Sequence, residues 1–163
     1  MSPGTGTAGE AKRRERLAAE LQQRGLDGCL VSAPVNVRYL TGLRSSNAAL
    51  LVRASGESLL ATDSRYAEAA ATRCPGVEVI TTRAVVARLA ARAASHGGTL
   101  GVERHHLTLD AYEALLAALD EAHGPSLEIA DLAQAVERLR EQKEPGEVEL
   151  VERACAVSVA ALQ

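Results

Sequence analysis

Leu17 and Leu21 fall four residues apart among arginines and glutamates, which predicts an amphipathic helix from about Glu10 to Arg24. Gly25 suits the left-handed position after a helix, and Leu26 the apolar residue next to it. Cys29-Leu30-Val31 is an unbroken apolar run, the pattern of a short buried strand, and Pro34 punctuates it. Ala48–Val52 and Ser58–Ala61 are two further runs, and the turn Ala54-Ser55-Gly56-Glu57 between them predicts a β-hairpin. Asp63 or Ser64 offers a cap for a helix through Tyr66 to about Arg73. A strand at Val77–Ile80, a helix at Ala84–Ser95 and a strand at Thr99–Val102 come next. Thr108 caps a helix whose Leu109, Tyr112, Leu115, Leu116 and Leu119 recur at helical spacing. Leu127–Ile129 is a short strand, and Asp131 with Gln134 resembles a capping box that opens a helix through Leu139. Glu144-Pro145 opens the last helix, with Pro at its first position and Glu147 at its positive end.

A helix, a group containing a hairpin, then strands and helices in alternation predict an α/β protein. Its architecture is a three-layer α/β/α sandwich with a mixed sheet and helices on both faces. Residues 1–8, rich in Gly, Thr, Ser and Pro, are expected to form a disordered tail. The last helix lines up Val148, Val151, Cys155, Val159 and Leu162, and the chain stops at Gln163 without a cap signal. That pattern predicts the front part of something longer.

Composition narrows the class. The length of 163 residues suits one domain with an appendage, and 47% hydrophobic residues is ordinary for a globular core. With no Phe and no Trp, the core must be Leu, Val, Ala and a little Ile. A formal net charge of -3 argues against a general nucleic-acid binder, which shows a basic surplus. No apolar run is long enough to span a bilayer, and MSPGTGTAGEAKRRER has no apolar core of a secretory signal. Cys29, Cys74 and Cys155 are far apart and odd in number, which fits reduced thiols in a cytoplasmic protein.

Candidate chemistry is sparse. The densest set of acids and imidazoles is Glu103, His105, His106, Asp110 and Glu113. Adjacent histidines do not readily turn both rings onto one ion, and a helical metal pair wants a spacing of three or four. No serine sits in a GxSxG elbow, and Cys29 lies within a buried strand, a poor place for a thiolate. The glycines of His96-Gly97-Gly98-Thr99-Leu100-Gly101 precede a strand, whereas a phosphate cradle comes after one. No complete catalytic constellation is present.

Several short motifs in order carry a resemblance. Residues 13–42, RRERLAAELQQRGLDGCLVSAPVNVRYLTG, end in Pro34, Asn36, Tyr39, Leu40, Thr41 and Gly42. ATDSRYAEAA supplies Thr62, Asp63, Arg65 and Tyr66. LGVERHHLTLDAYEAL contains a Gly-x-Glu strand, and LREQKEPGEVELVERACAV contains Arg140, Lys143, Pro145 and Glu147. Together they resemble the creatinase/prolidase-like amino-terminal domain of Xaa-Pro aminopeptidases and Xaa-Pro dipeptidases.

The resemblance implies residues 9–137 as that domain, with a ribonuclease-H-like motif in its sheet. Residues 138–163 would be the linker and first helix of a "pita-bread" catalytic domain. That second domain would bind two divalent metals, such as Mn or Co, and hydrolyse proline-containing peptides; none of its ligands lies in this chain. The amino-terminal domain would help assemble a homo-oligomer and border the active site. Asn36, Arg38, Tyr39, Arg44 and Asn47 in the 34–47 segment are the candidate border. An arginine there could hold a peptide carboxylate through a forked pair of hydrogen bonds.

Plainer roles stand beside these. Tyr39 could cover the core, Asn36 could bond a turn, and Asp63, Arg65 and Tyr66 could form a structural corner. The same architecture would suit a creatinase-like amidinohydrolase or a protein-interaction module.

Overall fold

The computed structural model describes residues 6–162. Helix α1 spans Gly6–Gln23, so it takes in residues 6–8 of the expected tail, and residues 1–5 of that tail lie outside the described residues. It ends as Gly25 and Leu26 predict. Gly25 takes φ +66°, its N–H donates to the Gln22 carbonyl, and Leu26 N–H donates to the Leu21 carbonyl. That is a Schellman motif, closed by apolar contact in the core that Leu21 and Leu26 share.

The strands are β1 (Gly28–Val31), β2 (Ala48–Arg53), β3 (Ser58–Thr62), β4 (Glu78–Thr81), β5 (Gly98–Val102) and β6 (Leu127–Asp131). They form one sheet in the order β4-β3-β2-β1-β5-β6. Strand β2 runs antiparallel to both β1 and β3, and the remaining pairs are parallel. The order β3-β2-β1-β5-β6, with its one reversed strand, is the expected ribonuclease-H-like motif, and β4 extends it at one edge.

The central strands are apolar run-on because both faces are covered. Cys29, Val31, Leu50, Val52 and Leu60 point to one face, where Leu17 and Leu21 of α1 and Ala70 of α3 (Ala67–Arg73) pack. Val136 and Leu139 of α6 (Ala135–Glu141) complete that layer. Leu30, Ala49, Leu51, Leu59 and Val102 point to the other face. They meet Leu89 and Ala93 of α4 (Val85–Ala94) and Leu115 of α5 (Leu109–Glu121). Alanines at the helix contacts let α4 lie close to the sheet.

Three local expectations are corrected. Pro34–Thr41 is a helix, α2, where Pro34 reads as punctuation after the strand and Asn36 as a turn residue. Pro34 sits in its first turn, where a missing N–H costs nothing. Helix α3 begins at Ala67 and takes no side-chain cap from Asp63 or Ser64. The Asp131–Gln134 capping box does not form: Asp131 ends β6 and accepts from Ala133 N–H, and α6 starts behind Gln134 at φ +58°. Thr108 does cap α5, accepting from Ala111 N–H at 3.2 Å. Helix α7 (Pro145–Ala161) opens on a true capping box between Glu144 and Glu147, and none of its residues is buried.

Candidate functional site

The carboxyl ends of β1, β3, β4, β5 and β6 lie along one edge of the sheet, and α2 rises from it directly after β1. Glu103, just beyond β5, is buried beneath the start of α2. Its Oε2 accepts from Ser32 N–H at 2.6 Å and Ala33 N–H at 2.7 Å; its Oε1 accepts from Asn36 Nδ2 at 2.6 Å. The carboxylate thus faces the positive end of α2, which Ala33 leaves without a side-chain cap. Asn36 is fully buried and bridges two acids, since Nδ2 also donates to Glu137 Oε1 at 2.6 Å. Arg140 Nη1 donates to Asn36 Oδ1 at 3.1 Å. Burial pushes the Glu137 carboxyl upward, but the hydrogen bond from Asn36 and the neighbouring His105 outweigh it and hold it below its ordinary value. His105 Nε2 stands 3.1 Å from the same oxygen.

Tyr39 sits one turn further along α2, facing inward. Its hydroxyl donates to the Leu139 carbonyl at 3.1 Å, and burial raises its pKa above the usual phenol value. The Arg13 guanidinium lies 4.2 Å above the ring and donates to the Tyr39 carbonyl at 3.1 Å. Asn36 and Tyr39 therefore join α2 to α1 and α6. They are not on the surface that carries Arg38 and Arg44.

Arg38 and Arg44 are exposed and make no side-chain hydrogen bond or ion pair among the described residues. With Pro34, Val35, Ser45, Ser46 and Tyr66 they line an open depression of about 450 Å³. The floor of this depression is fixed. The Tyr66 hydroxyl and Ser46 Oγ are 3.0 Å apart, and this contact holds the Tyr66 pKa below the ordinary phenol range. Asn47 N–H donates to Ser45 Oγ, its carbonyl accepts from Thr62 Oγ1 at 2.8 Å, and its Nδ2 donates to Asp63 Oδ2 at 3.2 Å. Arg65 forks onto Asp63 through Nε at 3.0 Å and Nη2 at 2.7 Å, while its own N–H donates to Oδ1 at 3.0 Å. Those bonds, the Arg65 side chain first, hold the Asp63 carboxyl far below the usual carboxylate range. Arg65 also lies 5.2 Å from the Tyr66 ring centre. The corner after β3 is thus rigid and internally neutralised, and the two free guanidinium groups stand beside it.

The metal candidates do not converge. Glu103 is spent on α2, His105 turns to Glu137, and Asp110 and Glu113 lie on the exposed face of α5. Among the described residues no three His, Cys, Asp or Glu side chains form a metal-binding group. The residues present do not fit a divalent-metal centre. Burial raises the Cys29 thiol well above its ordinary value, so it is no nucleophile. Arg13 and Glu137 carried no sequence signal, because their partners lie far away in the chain. Glu103 was marked by the Gly-x-Glu pattern and by the acid and imidazole cluster, but neither signal pointed to its bonds with the start of α2.

Comparison with known proteins agrees with this architecture. The chain belongs to the Creatinase/Prolidase N-terminal domain family, whose model matches residues 13–142. It is 31% identical over 146 residues to the uncharacterized peptidase YqhT of Bacillus subtilis (strain 168), covering 88% of this chain and 40% of that protein. The chain thus spans about two-fifths of the length of that curated relative. The crystal structure of the N-terminal domain of the cytoplasmic peptidase PepQ from Mycobacterium tuberculosis H37Rv is 43% identical. It covers 78% of this chain and 98% of its own, with a TM-score of 0.71. The Xaa-Pro dipeptidase from Bacillus anthracis, 24% identical, shares the fold at a TM-score of 0.78 over 94% of this chain and 42% of its own.

Proposed function

We propose that this chain is the non-catalytic amino-terminal domain of a cytoplasmic, metal-dependent Xaa-Pro aminopeptidase or dipeptidase. In this reading residues 138–163 lead into the catalytic domain, which carries two divalent metals such as Mn or Co. The amino-terminal domain helps assemble a homo-oligomer and borders the active site with its Arg38 face. The observation that carries the proposal is the pairing of family membership with partial length: the chain matches a fraction of a longer peptidase. The name of the Mycobacterium tuberculosis relative supports the compartment and the peptidase class.

At the border, Arg38 and Arg44 receive the carboxylate of a short proline-containing peptide. Both are exposed, and both lie next to fixed hydroxyl groups of Ser46 and Tyr66. A guanidinium without a partner gives a forked site for a carboxylate without first breaking an existing bond. Asn36 and Tyr39 support that face from behind, and Asn47 with Asp63, Arg65 and Tyr66 fixes its floor.

Two experiments test this. The purified chain with Mn2+ or Co2+ should not cleave an Xaa-Pro peptide, and measurable turnover would overturn the non-catalytic reading. In the full-length protein, Arg38→Ala and Arg44→Ala should raise KM for short peptides while leaving metal content unchanged. Unaltered kinetics in both variants would remove this face from the substrate site.

A further inference from the structure

We infer that Arg13 sets the direction in which α7 leaves the sandwich, and is the positioning residue for whatever that helix carries. From residue 141 to residue 162 every side chain is exposed except two, Glu144 and Glu147. Both are held by the same guanidinium. Arg13 Nη2 lies 2.9 Å from Glu144 Oε2 and 3.3 Å from Glu147 Oε1, and Nε donates to Glu144 Oε1 at 3.3 Å. Its remaining nitrogen, Nη1, donates to the Tyr39 carbonyl, and its face rests on the Tyr39 ring. All three nitrogens are therefore committed, to two elements at once, and the group cannot turn without breaking a bond. Burial opposes the Arg13 charge, but the Glu144 and Glu147 carboxylates outweigh it and raise its pKa.

The same two carboxylates form the capping box of α7, with Glu144 N–H donating to Glu147 Oε2 at 3.0 Å. The groups that start the helix are thus the groups that are gripped, so its first turn is fixed in position and in angle. Among the described residues, the other side-chain hydrogen bond from α1 to this region is weak and exposed: Arg16 Nη2 to Gln142 Oε1 at 3.4 Å. The Arg13 side chain is only 13% exposed, so its ion pairs are screened less than surface pairs. Without Arg13, two carboxylates one turn apart face each other, and no buried residue of α7 holds the helix down. The inference concerns the exit of α7 from this sandwich, and it stands or falls independently of the peptidase reading.

The chain itself supplies the probe. Cys155 on α7 is exposed, whereas Cys29 and Cys74 are buried and withheld from labelling. A second label on α5, introduced by Glu113→Cys, gives a distance between α7 and the sandwich that spin-label spectroscopy can measure. The parent should show one narrow distance distribution. Arg13→Ala, and separately Glu144→Gln with Glu147→Gln, should give a distribution about twice as wide or wider. Arg24→Ala is the control, because Arg24, just after α1, also reaches across the fold, to the Leu132 and Asp131 carbonyls, without touching α7. It should leave the distribution narrow. A broad distribution in the parent, or a narrow one in the Glu144→Gln, Glu147→Gln double variant, would overturn the inference. The double variant decides the matter even where Arg13→Ala fails to fold.

Discussion

Glu103 and Asp63 are both buried carboxylates at the same edge of the sheet, and they are held by different means. Glu103 is held mainly by backbone N–H groups and an amide. Replacing it by Ala leaves the Ser32 and Ala33 N–H groups and the Asn36 amide without their acceptor. Glu103→Ala should therefore cost about 3 kcal/mol, and Glu103→Gln, which keeps one acceptor oxygen, about 1–2 kcal/mol. Urea unfolding of the two variants with equal m-values would measure the difference. Asp63 is held by a guanidinium, and its folded pKa is depressed. The folded protein thus binds this proton less readily than the unfolded chain. Its stabilisation is complete above the ordinary aspartate pKa of about 4 and is withdrawn as pH falls toward the lower folded value. Asp63→Asn should be less stable than the parent by a constant margin at neutral pH, and the gap should close only in acid below about pH 4. A gap that closes between neutrality and about pH 5 in acid titration would contradict the depressed value.

At the scale of elements, legibility tracked the range of the interactions. The end of α1 was readable because Gly25 and Leu26 complete a local motif. The hairpin was readable because its turn signal lies between the two strands it joins. Helix α2 was not readable. It is eight residues long, below what a peptide sustains alone, and its cap is Glu103, about seventy residues away. Its inward residues include Asn36 and Thr41, so the apolar period is broken just where packing is tightest. The start of α3 was misread for the complementary reason: Asp63 looks like a cap but is already engaged by Arg65. The end of α2 yields a prediction. Gly42 takes φ +71°, and a Cβ there would lie 3.3 Å from Glu10 Oε1; Gly25, at φ +66°, has nothing within 4 Å. Gly25→Ala should cost about 1 kcal/mol from backbone strain alone. Gly42→Ala should cost more, because Glu10 must also give way. Chemical denaturation of both would test the order.

For the whole molecule, the sandwich was legible and the candidate site was legible only in part. Alternation of runs and periods implied the layers and the mixed sheet, since both faces of the central strands are covered. Sequence placed Asn36, Arg38, Tyr39, Arg44 and Asn47 together because they are neighbours along the chain. The helix turns them apart, with Arg38 outward and Asn36 and Tyr39 inward. Sequence order alone cannot separate them until the segment is known to be helical, because side-chain direction depends on the period. The division between core and appendage is testable. Helix α7 contributes no buried residue, so a chain ending after Glu147 should keep the parent's unfolding midpoint. A large loss of stability on removing residues 148–163 would show that α7 belongs to the cooperative core.

The start of α2, at the carboxyl end of β1 and beside the point where the strand order changes direction, is where open α/β sheets commonly receive an anionic ligand on backbone N–H groups. Here that seat is taken. The protein supplies its own anion, Glu103, from just beyond β5, the strand parallel to β1. An incoming carboxylate cannot use the helix dipole without displacing a buried charge that its neighbours fully engage. Under the proposed function, recognition at this edge would fall to side chains rather than to backbone. It would then change by substitution at Arg38 or Arg44, with no alteration to the sheet that holds them.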